Sequence, residues 1–335
     1  MKTAYALSLL LLLLLGAAAL FWGSVDLPAA DVWRALCGQS PADATTTYIV
    51  LQSRLPQLLT ALLSGCALAA GGLAMQTLFA NPLADPSLLG VNSGASLGAA
   101  IAMLGLGGSF AAPGLSLTGH VLTVVAAFAG AVGVILLLLF CASTLRGNLH
   151  LLVAGVMISF AISSVVAILN FFATAQGVQQ YVVWGLGDFS GVTTAALPAY
   201  ALLLLLGLLP IALKAKSLNA LLLGEDYARN LGTRVRATRT VVLLATGLLA
   251  AVVTAACGPI SFIGLAAPHA ARLAARSADH RRLLPASLLW GANLALLALL
   301  ASRLPGGGQL PLNAVTPLFG VPLVLYLLFR RRHAA

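Results

Sequence analysis

SLNALLLGEDYARNLGTRVRATR, Ser217 to Arg239, is the longest run in the second half of the chain that a bilayer could not hold. Apolar runs flank it, Ala195 to Leu213 and Val241 to Cys257, each near the roughly 20 residues that cross a hydrocarbon core. Leu218, Leu221, Leu222 and Leu223 make a short apolar turn that Gly224 breaks. Glu225 and Asp226 open a second turn, where carboxylates favour a helix N-terminus, and Gly232 closes it. Thr233 is placed to N-cap the next span. Arg229, Arg234, Arg236 and Arg239 gather cationic charge at that point, which marks this side as cytoplasmic. The stretch predicts two short helices on the inner face, whose apolar edge has no core of its own to cover. That edge reads as a docking surface for a cytoplasmic partner; the other reading is a segment resting on lipid headgroups.

Composition sets the class. The chain is 60% hydrophobic and 8% charged, with mean hydropathy +1.02, whereas roughly a quarter of residues are charged in soluble domains. It reads as an all-α, polytopic membrane protein, a single domain over residues 1–335. A net charge of +10 in a soluble chain would point to nucleic acid. Here the basic residues border apolar spans, so they read as topology determinants and lipid contacts, with no nucleic-acid face left over. The four cysteines have no paired spacing, and neither a disulfide nor a metal site is expected.

In order, Ala4 to Trp22 is an uncleaved first span, longer than a signal-peptide core. Residues 25–54 form an external segment too polar to cross. The second span, from Leu55 to about Phe79, ends at the turn signals Asn81-Pro82 and Asp85-Pro86, and Asp85 is expected to N-cap a third. That third span carries Gly90, Gly94 and Gly98 at intervals of four, a smooth face for close helix packing. A fourth, Val121 to Cys141, leads through Arg146-Gly147-Asn148 to a fifth, Leu149 to Phe172, with Ser159, Ser163, Ser164 and Asn170 inside it. Hydroxyls and an amide in a bilayer turn toward protein or a water-filled path, because lipid offers them no hydrogen-bond partner. Two spans bracket the opening stretch. Beyond them, residues 258–276 are apolar but interrupted by Pro259 and Pro268, so broken helices are expected near membrane depth. A ninth span, Leu283 to Leu300, and a tenth, Asn313 to Phe329, complete the count. With both termini cytoplasmic, all but Arg34, Arg54 and Arg303 of the 18 basic residues lie inside.

The chemistry is mostly exclusion. There is no HExxH, GxSxG or P-loop, and the eight acidic residues lie in loops or at span ends. Protease, lipase and self-sufficient ATPase lack their parts, so the chain is not expected to be an enzyme. A proton- or sodium-coupled carrier is disfavoured too, although a channel or carrier working alone is the runner-up class. What is left is a pore driven by ATP hydrolysis on another subunit.

Several motifs carry a resemblance. Arg54-Leu55-Pro56, Gly65, Gly71-Gly72, Met75-Gln76 and Asn81 through Ala95 are among them. Gly224-Glu225-Asp226-Tyr227-Ala228 with Leu231-Gly232 is another, and so is Gly258-Pro259-Ile260 with Phe262 to Leu265 and Pro268-His269. Together they resemble the permeases of ABC importers for iron–siderophore complexes, haem and cobalamin, over residues 50–330. The resemblance implies ten helices per subunit, a second copy of the chain, two cytoplasmic ATPase subunits holding ATP and Mg, and a periplasmic or lipid-anchored binding protein. The place is a bacterial cytoplasmic membrane, and this chain itself binds no cofactor. The ATPase contact then falls on Leu218, Leu221, Leu222, Gly224, Glu225, Asp226, Tyr227 and Gly232, within the segment 217–239. The translocation path takes Ser159, Ser163 and Asn170, the cytoplasmic gate takes Arg146, Gly147, Asn148 and His150, and binding-protein docking takes Arg54 and Arg303. Where many relatives have a second arginine after the Leu-Pro, this chain has Gln57. The expected cargo is an iron chelate, with cobalamin as the alternative.

Overall fold

The chain threads back and forth as helices of unequal length, seen in a computed structural model that describes all residues except 1, 40–43, 113–114, 145–147, 304–307, 309, 319 and 323–335. The first is α1 (Lys2–Phe21), followed by α2 (Ala29–Leu36) and α3 (Ala44–Tyr48). A π-helical turn, Ile49–Arg54, runs straight into α4 (Leu55–Leu78), so the polar residues before Leu55 are helical and not a loop. Pro56 accounts for the wide turn: it cannot donate to the preceding turn, and Leu55 instead donates to the Val50 carbonyl, five residues back. After a 3₁₀ turn, Pro86–Leu89, come α5 (Val91–Ala100), a strand pair, α6 (Gly119–Thr144) and α7 (Asn148–Phe172). The strands β1 (Ser109–Ala112) and β2 (Leu115–Thr118) pair antiparallel, Ser109 opposite Thr118. The rest is α8 (Ala175–Gly185), α9 (Leu197–Leu213), α10 (Ala215–Leu221), α11 (Glu225–Asn230), α12 (Val235–Cys257), α13 (Ile263–Ala275) and α14 (His280–Ser302).

Among the described residues, five helices are long and apolar enough to cross a membrane, and α9 with α10 makes a sixth if their 53° bend is one broken span. Ten crossings are therefore not what length alone supports. Residues 5–21 and 91–105 are apolar but shorter, α13 has 13 residues, and residues 319 and 323–329 of the expected tenth span lie outside the described residues. The interruption expected near 258–276 is there at Gly258-Pro259, but not at Pro268, which lies inside a continuous α13. Gly258 takes φ +71, where an added Cβ would lie 2.4 Å from the Trp184 carbonyl, and α13 starts only at Ile263. Phe262 enters it with φ +69, uncommon for a residue carrying a side chain.

The core is built around α4, of whose span 78% is buried. Its small residues let other backbones approach. A Cβ on Gly65 would lie 2.3 Å from the Gly291 carbonyl of α14, and one on Gly72 only 1.8 Å from that of Gly264 in α13. The same device joins α5 to α6: a Cβ on Gly94 would meet the Gly130 carbonyl at 2.5 Å, and one on Gly98 the Ala126 carbonyl at 1.9 Å. Gly90 is different, since it sits at φ +82 between the 3₁₀ turn and α5 and faces α7, where its Cβ would lie 2.8 Å from Ser159 Oγ.

Helix α1 is tied down at its outer end by two arginines. Its last carbonyls have no partner within the helix. Arg54 donates to the carbonyls of Leu20 (2.8 Å), Phe21 (3.0 Å) and Val25, and Arg303 to those of Ala19 (2.7 Å) and Trp22. Arg303 also donates to Gln57 Oε1 at 2.7 Å. Both arginines are buried, at 3% and 7% exposure.

Two outcomes follow from this packing. Gly98→Leu should cost about 3 kcal/mol or more, read as a lower Tm in detergent, whereas Gly133→Ala on α6, which has open space around it, should leave Tm unchanged or raise it. Arg303→Met should cost about 1.5–3 kcal/mol, and Arg303→Lys should recover little of it, because one ammonium cannot reach three acceptors with the guanidinium's fork.

Candidate functional site

The inner-face segment begins where α9 gives out. Pro210 lies in its last turn, and at Lys214 the chain turns by 53° into α10. Leu218 (1% exposed) and Leu221 (8%) point into the bundle. They were expected on the docking edge, but they anchor α10 to the permease core, so the segment does have a core to cover. The exposed apolar side chains are Leu222, Leu223, Tyr227 and Leu231, each about half exposed or more. Of these, Leu223 and Leu231 escaped the sequence-based set. Gly224, at φ +103, turns the chain from α10 into α11, and Gly232, at φ +79, turns it out again. Thr233 does not cap α12. That helix starts at Val235 after Arg234, without a side-chain cap, and Thr233 instead donates its backbone N–H to the Ala228 carbonyl at 2.9 Å.

Charge holds α11 in place. Glu225 binds Arg239 of α12 at 2.6 Å, a pair whose arginine is mostly buried, and also meets Arg229 at 3.4 Å. Asp226 pairs with Arg229 at 3.2 Å, but both are well exposed and this contact contributes little. The result is a rigid, ion-paired rim around an apolar patch, the composition of a protein contact more than of a surface left in water.

Beneath the patch lies a buried polar cluster. Asp279 N-caps α14, its Oδ1 accepting the Arg281 N–H at 3.0 Å. The Asn219 amide donates to the same oxygen at 2.6 Å, and these two bonds hold the Asp279 carboxyl below the usual carboxylate range. His280, beside Asp279 at the start of α14, is 1% exposed and bonded on both ring nitrogens, to Asn219 and to Thr77. No spacing rule would have brought together residues 77, 219 and 280.

Ser159, Ser163 and Asn170 lie on α7, the least buried span, with 11% of its window buried against 72% for α12. Ser159 and Asn170 spend their donors on their own helix, bonding the Gly155 and Val166 carbonyls at 3.0 Å. Arg146 and Gly147 fall outside the described residues, as does the side chain of Asn148, while His150 is exposed in the first turn of α7. Arg54 and Arg303 are not on the outer surface. Their guanidinium groups face inward onto α1, and a surface ion pair with a partner would have to break those bonds. At the outer end, a cavity of about 560 Å³ opens between α6, α8 and the break at Gly258, with His120, Gln179, Gln180, Trp184 and Asp188 in its wall. Among the described residues no group of three or more His, Cys, Asp or Glu side chains could hold a metal ion.

Residues 10–330 match the model of the FecCD transport family. The hemin transport system permease protein HmuU of Yersinia pestis is 37% identical over 333 residues, covering 98% of this chain and 95% of that one. The vitamin B12 import system permease protein BtuC of Citrobacter koseri is 38% identical over 316 residues, with 92% and 90% covered. A solved structure described as an inward-facing conformation of a metal-chelate type ABC transporter superposes with a TM-score of 0.84 at 27% identity, covering 98% of this chain and 99% of the other. With its whole bundle inside the match, this chain belongs to the FecCD transport family.

Proposed function

We propose that the chain is the membrane-spanning permease subunit of an ATP-driven ABC importer for a metal chelate in a bacterial cytoplasmic membrane. The observation that carries this reading is the inner-face patch of Leu222, Leu223, Tyr227 and Leu231, held out by α10 and α11 and stiffened by the Glu225–Arg239 pair. An apolar patch inside a charged rim suits a folded cytoplasmic partner, and the family makes an ATPase subunit the natural occupant. ATP and Mg then bind that subunit, and this chain performs no bond chemistry.

The exposed length of α7 supports a second copy of the chain beside it. Met157, Phe160, Val165 and Ile168 are all exposed along it, and two such helices facing each other would enclose a path with Ser163 on its wall. A binding protein outside, both termini inside and ten crossings per copy complete the arrangement. The cargo is an iron chelate, haem or a ferric siderophore. Cobalamin is the second reading, favoured by the vitamin B12 permeases that match at the same level of identity.

Uptake into vesicles carrying the chain, its ATPase and its binding protein, offered haem, a ferric siderophore and cobalamin in turn, identifies the cargo. Accumulation should require ATP inside. Uptake without ATP or without the ATPase subunit overturns the importer reading in favour of a channel or carrier. The double variant Leu223→Glu, Tyr227→Glu should weaken association with the ATPase subunit by about tenfold or more, roughly 1.4 kcal/mol, measured by co-purification across a dilution series, with insertion unchanged.

A further inference from the structure

The Asn219–His280–Thr77 cluster joins three elements, α10, α14 and α4, by side-chain hydrogen bonds. Asn219 lies on α10, His280 opens α14 and Thr77 is the last residue but one of α4. The orientation of each group follows from its partners. Asn219 Nδ2 donates to Asp279, so its Oδ1 faces His280 and accepts both the backbone N–H (2.8 Å) and ring Nδ1 (2.7 Å). A carbonyl oxygen only accepts, so Nδ1 carries a proton. In the neutral ring Nε2 is then the acceptor for the Thr77 hydroxyl, 2.8 Å away. Thr77 has a second acceptor within reach, the Leu73 carbonyl at 3.1 Å, and one proton to share between them.

We propose that these three residues form a relay that carries displacement of α10 into α14 and α4 during transport, with His280 as its positioning residue. The proposal rests on the reading of the α10–α11 patch as the ATPase contact. Leu218 and Leu221 also tie α10 to the core, but apolar contacts are non-directional and tolerate sliding. Hydrogen bonds do not. His280 and Thr77 are 1% and 5% exposed, so no bulk water stands ready to replace a broken bond, and an unpaired group there is costly. A rotation of α10 therefore takes the start of α14 and the end of α4 with it. From Thr77 the chain passes directly into the Asn81–Pro86 turns and Gly90, which lies against Ser159 of α7. Movement at the patch thus has a continuous, directional route to the least buried span.

The test uses the assembled importer in vesicles and reads cargo taken up per ATP hydrolysed. Thr77→Val keeps the shape and removes the hydroxyl, and should lower that ratio about tenfold. Thr77→Ser, which restores the hydroxyl, should bring it back to within about twofold of wild type. Asn219→Leu should lower the ratio similarly, and the double variant Asn219→Leu, Thr77→Val should be no worse than either alone, because both cut the same connection. Wild-type coupling in Thr77→Val, or a double variant whose loss is the product of the two single losses, overturns the relay. Should Thr77→Val not assemble, Asn219→Leu, at a half-buried site, decides alone: a lowered ratio supports the relay and an unchanged one overturns it. A wild-type complex whose uptake is independent of ATP overturns the importer reading itself, a result distinct from normal coupling that survives the variants.

Discussion

Inside a bilayer, helices gain nothing by hiding apolar side chains from lipid, so their cohesion depends on how closely backbones approach. Gly72 against Gly264 is the contact on which this bundle most depends. Any side chain at residue 72 would overlap the Gly264 carbonyl, so α13 could not lie on α4. The rest of α13 is held by its buried face and by hydrogen bonds from Gln76 to the Leu265 carbonyl and from Arg272 to Gln76. Gly65 on Gly291 repeats the arrangement with α14, and the two together set three helices in one close-packed unit. The polar cluster under the inner-face patch is assembled at one end of that unit, where α14 begins and α4 ends.

The order of polar and apolar runs made the class and the polar break between α9 and α12 readable, and local capping was readable only in part: Thr233, placed to cap α12, does not. Asp85 does cap, accepting the Ser87 N–H at 2.8 Å, but what it opens is the 3₁₀ turn Pro86–Leu89, and the third span it was expected to start begins after Gly90. Facing was not readable in the same way. Four leucines in one short turn cannot all point the same way, and only the bundle decides that Leu218 and Leu221 go in while Leu222 and Leu223 stay out. The bias of basic residues does not give the direction of a side chain. Arg54 and Arg303, expected to face a partner, each fold back to cap α1. Gln57, which stood out as a departure at an arginine position, has a place in that arrangement as the acceptor for Arg303.

His280 shows a different gap between sequence and structure. Between Asp279 and Arg281 it reads as one polar residue in a charged turn. The helix starting there turns it inward while Asp279 and its neighbours stay near water, and its partners come from positions 61 and 203 residues away. Separations of that size carry no periodic signal. A buried histidine with both nitrogens engaged is found only after the helices are docked.

Backbone contacts this close also divide the molecule into parts that can move and parts that cannot. Helices that touch through side chains can shear by changing rotamers, but where Gly65 and Gly72 of α4 meet Gly291 and Gly264, and where α5 meets α6 at Gly94 and Gly98, backbone lies against backbone and has no rotamer to change. Sliding at those crossings is hindered. Shape change in a working cycle must then concentrate at the joints between them: the 53° bend at Lys214, the left-handed residue Gly90, and the Gly258–Phe262 passage between α12 and α13. Each joint lies beside a surface with work to do, the first above the inner-face patch, the second against α7 and the third at the wall of the outer cavity.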